Sequence, residues 1–478
     1  MGSSSTAVAL TFIAYLIVVI VIGLVAWRRT QDLKDYILGG RRLGKWVTAL
    51  SAQASDMSGW LLLGLPGYAY LAGMESLWLL VGLLTGTYLN WKLTAARLRR
   101  ATEQYGDSLT LPDYLERRFD DRSGSLRLIS ALFILVFFTF YTSSGLVAGG
   151  RLFEEVFGLS YLWAVAAGGA TVVAYTFVGG FLAVSWTDLL QGILMFLALV
   201  AVAVMGISTI GGLDAMLAGT RDLNPELLNV LTDSTGQPLG VIAVVSLLGW
   251  GLGYFGQPHV LARFMAADSV DNIPASRRIA MTWVTVALIA GMLVGIAGPL
   301  VLDEPLVGAD SEKIFMVMAT TLFHPVIAGI CLSGILAAVM STADSQLLVA
   351  SSAVAEDLYK GIFRRQASEQ ELLWIGRMAV VAIALIAFAL ATDPDSKVLD
   401  LVSYAWAGFG AAFGPAILLS LYWSGMTRSG AIAGIVVGGI TVIVWKQLSG
   451  GLFDLYEIVP GVAFSIAAIL LFSRQSDR

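Results

Sequence analysis

The chain has 478 residues, of which 57% are hydrophobic and only 13% charged, with a formal net charge of −5. A soluble domain carries about 25% charged residues, so this composition excludes an ordinary soluble enzyme and points to an integral membrane protein. One cysteine, Cys331, excludes an internal disulfide, and two histidines, His259 and His324, cannot close a structural zinc site without cysteine or carboxylate partners.

Apolar segments of about 20 residues cross a bilayer as helices. Thirteen are predicted, at 8–27, 46–71, 77–97, 127–157, 161–179, 186–209, 240–264, 278–301, 322–352, 373–391, 398–423, 430–447 and 456–473. The first has no basic residue before it and Arg28-Arg29 directly after it, so it reads as a span rather than a cleaved signal. With the N-terminus outside, the cytoplasmic segments are 28–45, 92–127, 180–185, 263–278, 353–377, 424–429 and the tail after 473. Those segments and their helix edges hold all but Arg151, Arg221, Lys313, Lys397 and Lys446 of the 29 Lys and Arg. Arg28, Arg29, Lys34, Arg41, Arg42 and Lys45 fill the first of them. This asymmetry is what the positive-inside rule requires, and an odd helix count leaves the C-terminus in the cytoplasm. The loops at 210–239 and 302–321 are long enough for short surface helices. Gly145, Gly149 and Gly150, and Gly408, Gly410 and Gly414, suit close helix packing in lipid. No soluble domain or low-complexity tract is visible.

The second segment contains Ser51-Ala52-Gln53-Ala54-Ser55-Asp56-Met57-Ser58-Gly59-Trp60. An acid at mid-membrane costs at least ~2.5–3.5 kcal/mol. Ser51, Ser55 and Ser58 surround Asp56, and Gly59 releases the backbone. The stretch predicts a broken helix. Its freed carbonyl oxygens suit a hard cation such as Na⁺, and the N-terminus of its second half suits a carboxylate. The plainer alternative is a structural acid bonded to a hydroxyl or backbone amide. Asp188, in Ser185-Trp186-Thr187-Asp188, is expected at the start of a helix, as a cap or a dipole partner, rather than in ion passage.

The seventh segment contains Gly249-Trp250-Gly251-Leu252-Gly253-Tyr254-Phe255-Gly256-Gln257-Pro258-His259, a poor continuous helix. Interrupted helices at matching positions of two halves mark a transporter's binding site. Trp250 and Tyr254 share a face if the helix holds and then wall a pocket for a compact apolar ring; simple aromatic packing is the alternative. His259 is read as a gating or surface residue. In the ninth segment, Ala338, Ser341, Thr342 and Ser345 share a helical face. Their oxygens, without a carboxylate cage, fit a monovalent ion better than Ca²⁺, unless the hydroxyls bond back to their own helix. There is no phosphate loop, nucleophile elbow or His-Glu-x-x-His motif, so neither an ATP motor nor a membrane hydrolase is expected.

Over Ser51–Gly67, Leu109–Tyr114, Gly179–Gln191, Gly249–Ala267, Ile335–Thr342, Glu356–Lys360 and Leu401–Pro415 the chain resembles the sodium/solute symporter family, and its proline branch in particular. The resemblance implies an all-α membrane protein with a leucine-transporter-like core of two inverted five-helix repeats. Residues 1–45 would form an extra helix and first loop, 46–209 repeat one, 210–239 an external loop, 240–423 repeat two, and 424–478 two last helices and a tail. It implies a sodium site on the Ala54 and Met57 backbone oxygens, the Ala338 carbonyl and the Ser341 and Thr342 hydroxyls, with Asp56 as ligand or organiser. Tyr141, Trp250, Tyr254 and Pro258 would line the substrate path, and Ser58, Gly59 and Trp60 would meet substrate from the unwound helix. Some relatives hold a second sodium near Asp188. Here Asp344 stands where a small neutral residue is usual, so Asp188, Asp344 and Ser345 are a possible second cation site or a structural cluster. The implied activity is import of L-proline coupled to Na⁺, with Na⁺ as the coupling ion and no transition metal. The implied setting is the bacterial inner membrane, surrounded by lipid, with no nucleic acid and no obligate protein partner. Symport of another small carboxylate, such as pantothenate, and a non-transporting solute sensor are the alternatives.

Overall fold

The structure, a computed structural model, describes residues 3–27, 37–176 and 180–474. Arg28, Arg29, Lys34 and Gly179 lie outside the described residues. The helices are α1 (Ser3–Trp27), α2 (Lys45–Asp56), α3 (Leu65–Ala72), α4 (Ser76–Leu89), α5 (Ala96–Gln104), α6 (Leu111–Arg118), α7 (Ser125–Phe157), α8 (Tyr161–Thr176), α9 (Phe181–Ile210) and α10 (Leu213–Leu223). They continue with α11 (Val241–Gly249), α12 (Pro258–Met265), α13 (Ile273–Val301), α14 (Ile314–Leu322), α15 (Pro325–Ser352), α16 (Glu369–Leu390), α17 (Val398–Tyr422), α18 (Arg428–Trp445) and α19 (Ile458–Arg474). Among the described residues, extended pairing is limited to two isolated bridges, Leu43 with Ala267 and Thr232 with Pro238. Inside lipid a helix satisfies its own backbone, so apolar sequence and helical structure go together.

Nine helices among the described residues are long and apolar enough to cross a membrane, ten if the bent pair Val241–Gly256 and Pro258–Ala266 counts as one span. Tyr161–Val173 and Ile458–Arg474 are shorter apolar helices, and the stretch Trp60–Gln104, counted once among the nine, is interrupted at Gly73, whose φ is 59° and ψ −133°. The chain is a multi-pass membrane protein. Burial separates its centre from its rim: the spans Pro325–Phe363 and Val398–Tyr422 are 83% and 78% buried, but Thr6–Val25 only 22%. The centre therefore lies around α15 and α17, and α1 faces lipid with Leu10, Ile13, Ile17 and Val21.

Close packing holds the broken segments in place. A Cβ added to Gly86 would fall 2.2 Å from Gly251 O, and one on Gly256 would fall 2.1 Å from Phe409 O. Residues 250–256 are thus held backbone to backbone between α4 and α17, which only glycine permits. At the arginine-rich end, Arg41 Nη1 donates to Met265 O at 2.6 Å and Arg99 Nε to Ala267 O at 2.7 Å. These bonds clamp the end of α12. At the opposite end, Arg151 donates to Ala309 O and Ser396 O, and Glu312 accepts from Val398 N and Leu399 N.

The two long loops do contain helices, α10 in one and α14 in the other. However, α14 is no surface helix: Ile314, Phe315, Met316, Met318 and Ala319 are fully buried. Its run Ile-Phe-Met-Val-Met is apolar enough to dock inward even though acidic residues precede it.

Candidate functional site

The helix α2 ends at Asp56, and Met57 leaves helical geometry with φ −80° and ψ 74°. Ser58 N then donates to Asp56 O at 3.0 Å, so it does not reach Ala54 O, four residues back. A π-helical turn, Trp60–Gly64, restarts the helix into α3. Ala54 O, released in this way, accepts Ser341 Oγ at 2.8 Å and Thr342 Oγ1 at 3.3 Å from α15. Ser341 Oγ also lies 3.2 Å from Ala338 O. Ala54, Ala338, Ser341 and Thr342 therefore meet at one point, and Met57 sits buried at the break beside them. The donors are two carbonyls and two hydroxyls, all neutral and hard. Each hydroxyl can rotate to offer a lone pair, and such a set fits a weakly held monovalent cation better than Ca²⁺.

Asp56 is fully buried, and neither carboxyl oxygen has a hydrogen bond in the structure. The Tyr254 hydroxyl faces that carboxyl and Thr87 Oγ1, outside normal hydrogen-bond geometry with either. Leaving an ionised carboxyl buried without a partner is costly, so Asp56 is suited to meeting a positive charge. Its backbone oxygen accepts Trp60 Nε1 and the Tyr141 hydroxyl, both at 3.2 Å. These contacts bring Trp60, Tyr141 and Tyr254 around the break. Ser58 Oγ accepts Trp60 N at 3.4 Å, which steadies the turn. A Cβ on Gly59 would meet Ala148 Cβ at 2.6 Å, so this position has no room for a side chain.

Ser51 and Ser55 do not surround Asp56. They point to the other face of α2 and hydrogen-bond Asp188 Oδ2 at 2.6 and 3.2 Å. Asp188 is not at a helix start either. The helix α9 begins at Phe181, because the apolar run Phe181–Val184 extends it one further turn, and Asp188 is fully buried within it. Arg263 of α12 completes this cluster. Its Nη2 is 3.1 Å from Asp188 Oδ2 and donates to Ser345 Oγ, its Nε donates to Ser51 Oγ at 3.0 Å, and its guanidinium lies over the Phe181 ring. Ser55 Oγ is 2.9 Å from Ser345 Oγ. Asp188 and Ser345 are therefore brought together, with a guanidinium as the cation between them. Asp344, also fully buried, lies within electrostatic reach of Arg263 and of Tyr15 on α1.

Trp250 and Tyr254 do not share a face. Residues Trp250–Gly256 form a 3₁₀ helix, and at three residues per turn a spacing of four diverges. The Trp250 ring packs against Tyr456 at 5.4 Å, while Tyr254 meets Trp406 edge-on at 4.8 Å. Trp406 Nε1 joins the two by donating to Trp250 O at 2.7 Å. Pro258 opens α12 and lines a narrow cavity toward the arginine-rich end, away from Asp56, with Leu111, Pro112, Met265 and Leu348. His259 is not at the surface. It is fully buried against the Phe138 and Tyr141 rings, and neither ring nitrogen has a hydrogen bond in the structure. Arg263 was missed because its place near a helix end reads as a loop charge. The signal was present: it stands inside the apolar run Val260–Met265, and a lone charge within a span calls for a partner.

A profile of the sodium:solute symporter family matches residues 36–438. Among similar proteins, the "Sodium/proline symporter" of Escherichia coli (strain K12) is 54% identical over 474 residues, covering 98% of this chain and 93% of its own length. The protein of the same name from Salmonella typhimurium is also 54% identical with the same coverage. The "High-affinity proline transporter PutP" of Bacillus subtilis is 49% identical, covering 95% of each chain. Among solved structures, a Na⁺-coupled sialic acid symporter in a substrate-bound outward-open state aligns with TM-score 0.79 at 20% identity, over 99% of this chain and 98% of its own. MhsT in complex with L-phenylalanine aligns with TM-score 0.55 at 14% identity, over 90% of this chain and 98% of its own. These likenesses place the molecule in the leucine-transporter-like fold that the family resemblance implied. The chain belongs to the sodium:solute symporter family.

Proposed function

We propose that the chain imports L-proline by symport with Na⁺ through alternating access, and that it is not an enzyme. The observation that carries this reading is the meeting of Ser341 and Thr342 hydroxyls with Ala54 O, the carbonyl that the break in α2 releases. Na⁺ would take those oxygens with Ala338 O and Met57 O. Asp56 would balance its charge from the other side of the break. The solute would lie between the Ser58-Gly59-Trp60 turn, Tyr141 and Tyr254, with Trp250 closing the far side and Pro258 on the way out to the cytoplasm. The names of the relatives support proline as the solute. We read thirteen crossings in a bacterial inner membrane, obtained by dividing Trp60–Gln104 near Gly73 and counting the short helices. Repeats at 46–209 and 240–423, an external N-terminus, a cytoplasmic C-terminus and one Na⁺ per cycle complete the proposal.

Each Na⁺ that enters brings ~2.3 kcal/mol per 100 mV, enough for a roughly 50-fold solute gradient before the sodium gradient is added. If Na⁺ tightens proline binding, proline must tighten Na⁺ binding equally. Competition tests the solute. Unlabelled L-proline should suppress labelled-proline uptake at concentrations where pantothenate and other small carboxylates do not. Suppression by pantothenate at lower concentration would reassign the substrate, and saturable binding without uptake would make the chain a sensor.

A further inference from the structure

The narrow cavity below Pro258 leads to a pair of opposite charges that the sodium and proline sites do not use. Its walls are apolar where Leu111, Pro112, Pro258, Met265 and Leu348 meet. At its floor stand Thr110 and Asp357. Asp357 is fully buried, and Thr110 Oγ1 donates to its Oδ1 at 2.9 Å. Its other oxygen, Oδ2, is buried and makes no hydrogen bond in the structure. Arg127 Nε stands 4.0 Å from Oδ1 and also pairs with Asp113 and Glu116. On the far side of the Leu109–Thr110 segment a wide polar cleft opens, lined by Arg127, Asp113, Glu116 and Lys360. Leu109 lines both the cavity and the cleft. The order from the centre outward is therefore Pro258, an apolar chamber, Asp357 with Thr110, Arg127, and then open solvent.

An apolar chamber that ends in a carboxylate, with a guanidinium behind it in the outer cleft, matches a cyclic amino acid in its zwitterionic form as it passes from one to the other: ring to Leu348 and Met265, ammonium to Asp357, carboxylate to Arg127. A carboxylate takes an ammonium, and a guanidinium takes a carboxylate, through charge-assisted hydrogen bonds. We propose that Asp357 and Arg127 form an inner release site that holds the zwitterion after it leaves Asp56 and before it reaches the cytoplasm. The proposal rests on the proline-symport reading and assigns that solute a second stop. The chamber is narrow in this conformation, so the site fills only when the inner side opens.

The test is sided. Reconstituted full-length protein is sorted by orientation, and labelled-proline flux is measured from each face with Asp357→Asn. The half-saturating proline concentration at the cytoplasmic face should rise about tenfold, and that at the external face should stay within about twofold. Equal shifts at both faces, or none at the cytoplasmic face, would overturn the proposal. A second measurement does not depend on that variant. In Ser352→Cys, with Cys331 replaced by Ser, the new thiol lies on the chamber wall. Internal proline should slow its modification by a membrane-impermeant reagent applied from the cytoplasmic side, and modification unaffected by proline would overturn the proposal equally. Loss of all Na⁺-dependent proline flux in the unmodified protein would instead indict the symport reading.

Discussion

Asp56 and the Ser341–Thr342 pair do different electrostatic work. The hydroxyls donate to Ala54 O and can turn to coordinate a cation, so each is worth one ligand. Ser341→Ala or Thr342→Ala should raise the half-saturating Na⁺ concentration about tenfold, because hydrogen bonds involving a charge are worth about 1.5–3 kcal/mol. The same substitutions should change proline affinity at saturating Na⁺ little; Na⁺ titrations of uptake check both. Asp56→Asn keeps the shape and removes the charge, and it should weaken Na⁺ activation about 100-fold, toward the upper end of that range. The fold should persist, since neither carboxyl oxygen makes a hydrogen bond in the structure. Arg263 and Asp188 behave oppositely. Removing one member of a buried pair costs about 3–5 kcal/mol, whereas replacing both can be nearly neutral. Arg263→Gln should therefore lower thermal stability sharply, and Arg263→Gln with Asp188→Asn should recover much of it.

At the scale of elements, the two broken helices are held differently. The break in α2 needs only two non-helical residues and is read out by hydrogen bonds. The break before α12 is a 3₁₀ stretch held by backbone contact with α4 and α17. A Cβ on Gly253 would fall 1.9 Å from Trp406 Nε1, the atom that donates to Trp250 O. Gly253→Ala should cost about 1–3 kcal/mol by overpacking and lower the melting temperature of the purified protein. The first break was legible in the sequence because an acid among small polar residues cannot sit unnoticed in an apolar helix. The aromatic pair beyond the second break was not: a spacing of four means one face only if the helix is α, and glycine-rich sequence does not say which helix forms. The inward turn of Ser51 and Ser55 was hidden for a related reason. Adjacency in sequence to Asp56 says nothing of facing, and the partner they share, Asp188, lies 137 and 133 positions further along the chain.

Over the whole molecule, apolar length made the membrane class and the all-helical architecture legible. It did not distinguish a surface helix from a docked one, as α14 illustrates. Both ends are tied in this conformation, by Arg41 and Arg99 at one and by Arg151 and Glu312 at the other. Asp56, Trp60, Tyr141 and Tyr254 are almost wholly hidden between them. Such a centre requires one set of ties to release before solute can enter and the other before it can leave. A sodium gradient drives proline inward through this centre. Uptake of labelled L-proline into proteoliposomes, with inward Na⁺, K⁺ or H⁺ gradients imposed in turn, tests it most directly. Accumulation above equilibrium is expected with Na⁺, with a further rise when the interior is made negative. Equal accumulation with K⁺ or H⁺, or no response to membrane potential, would contradict it.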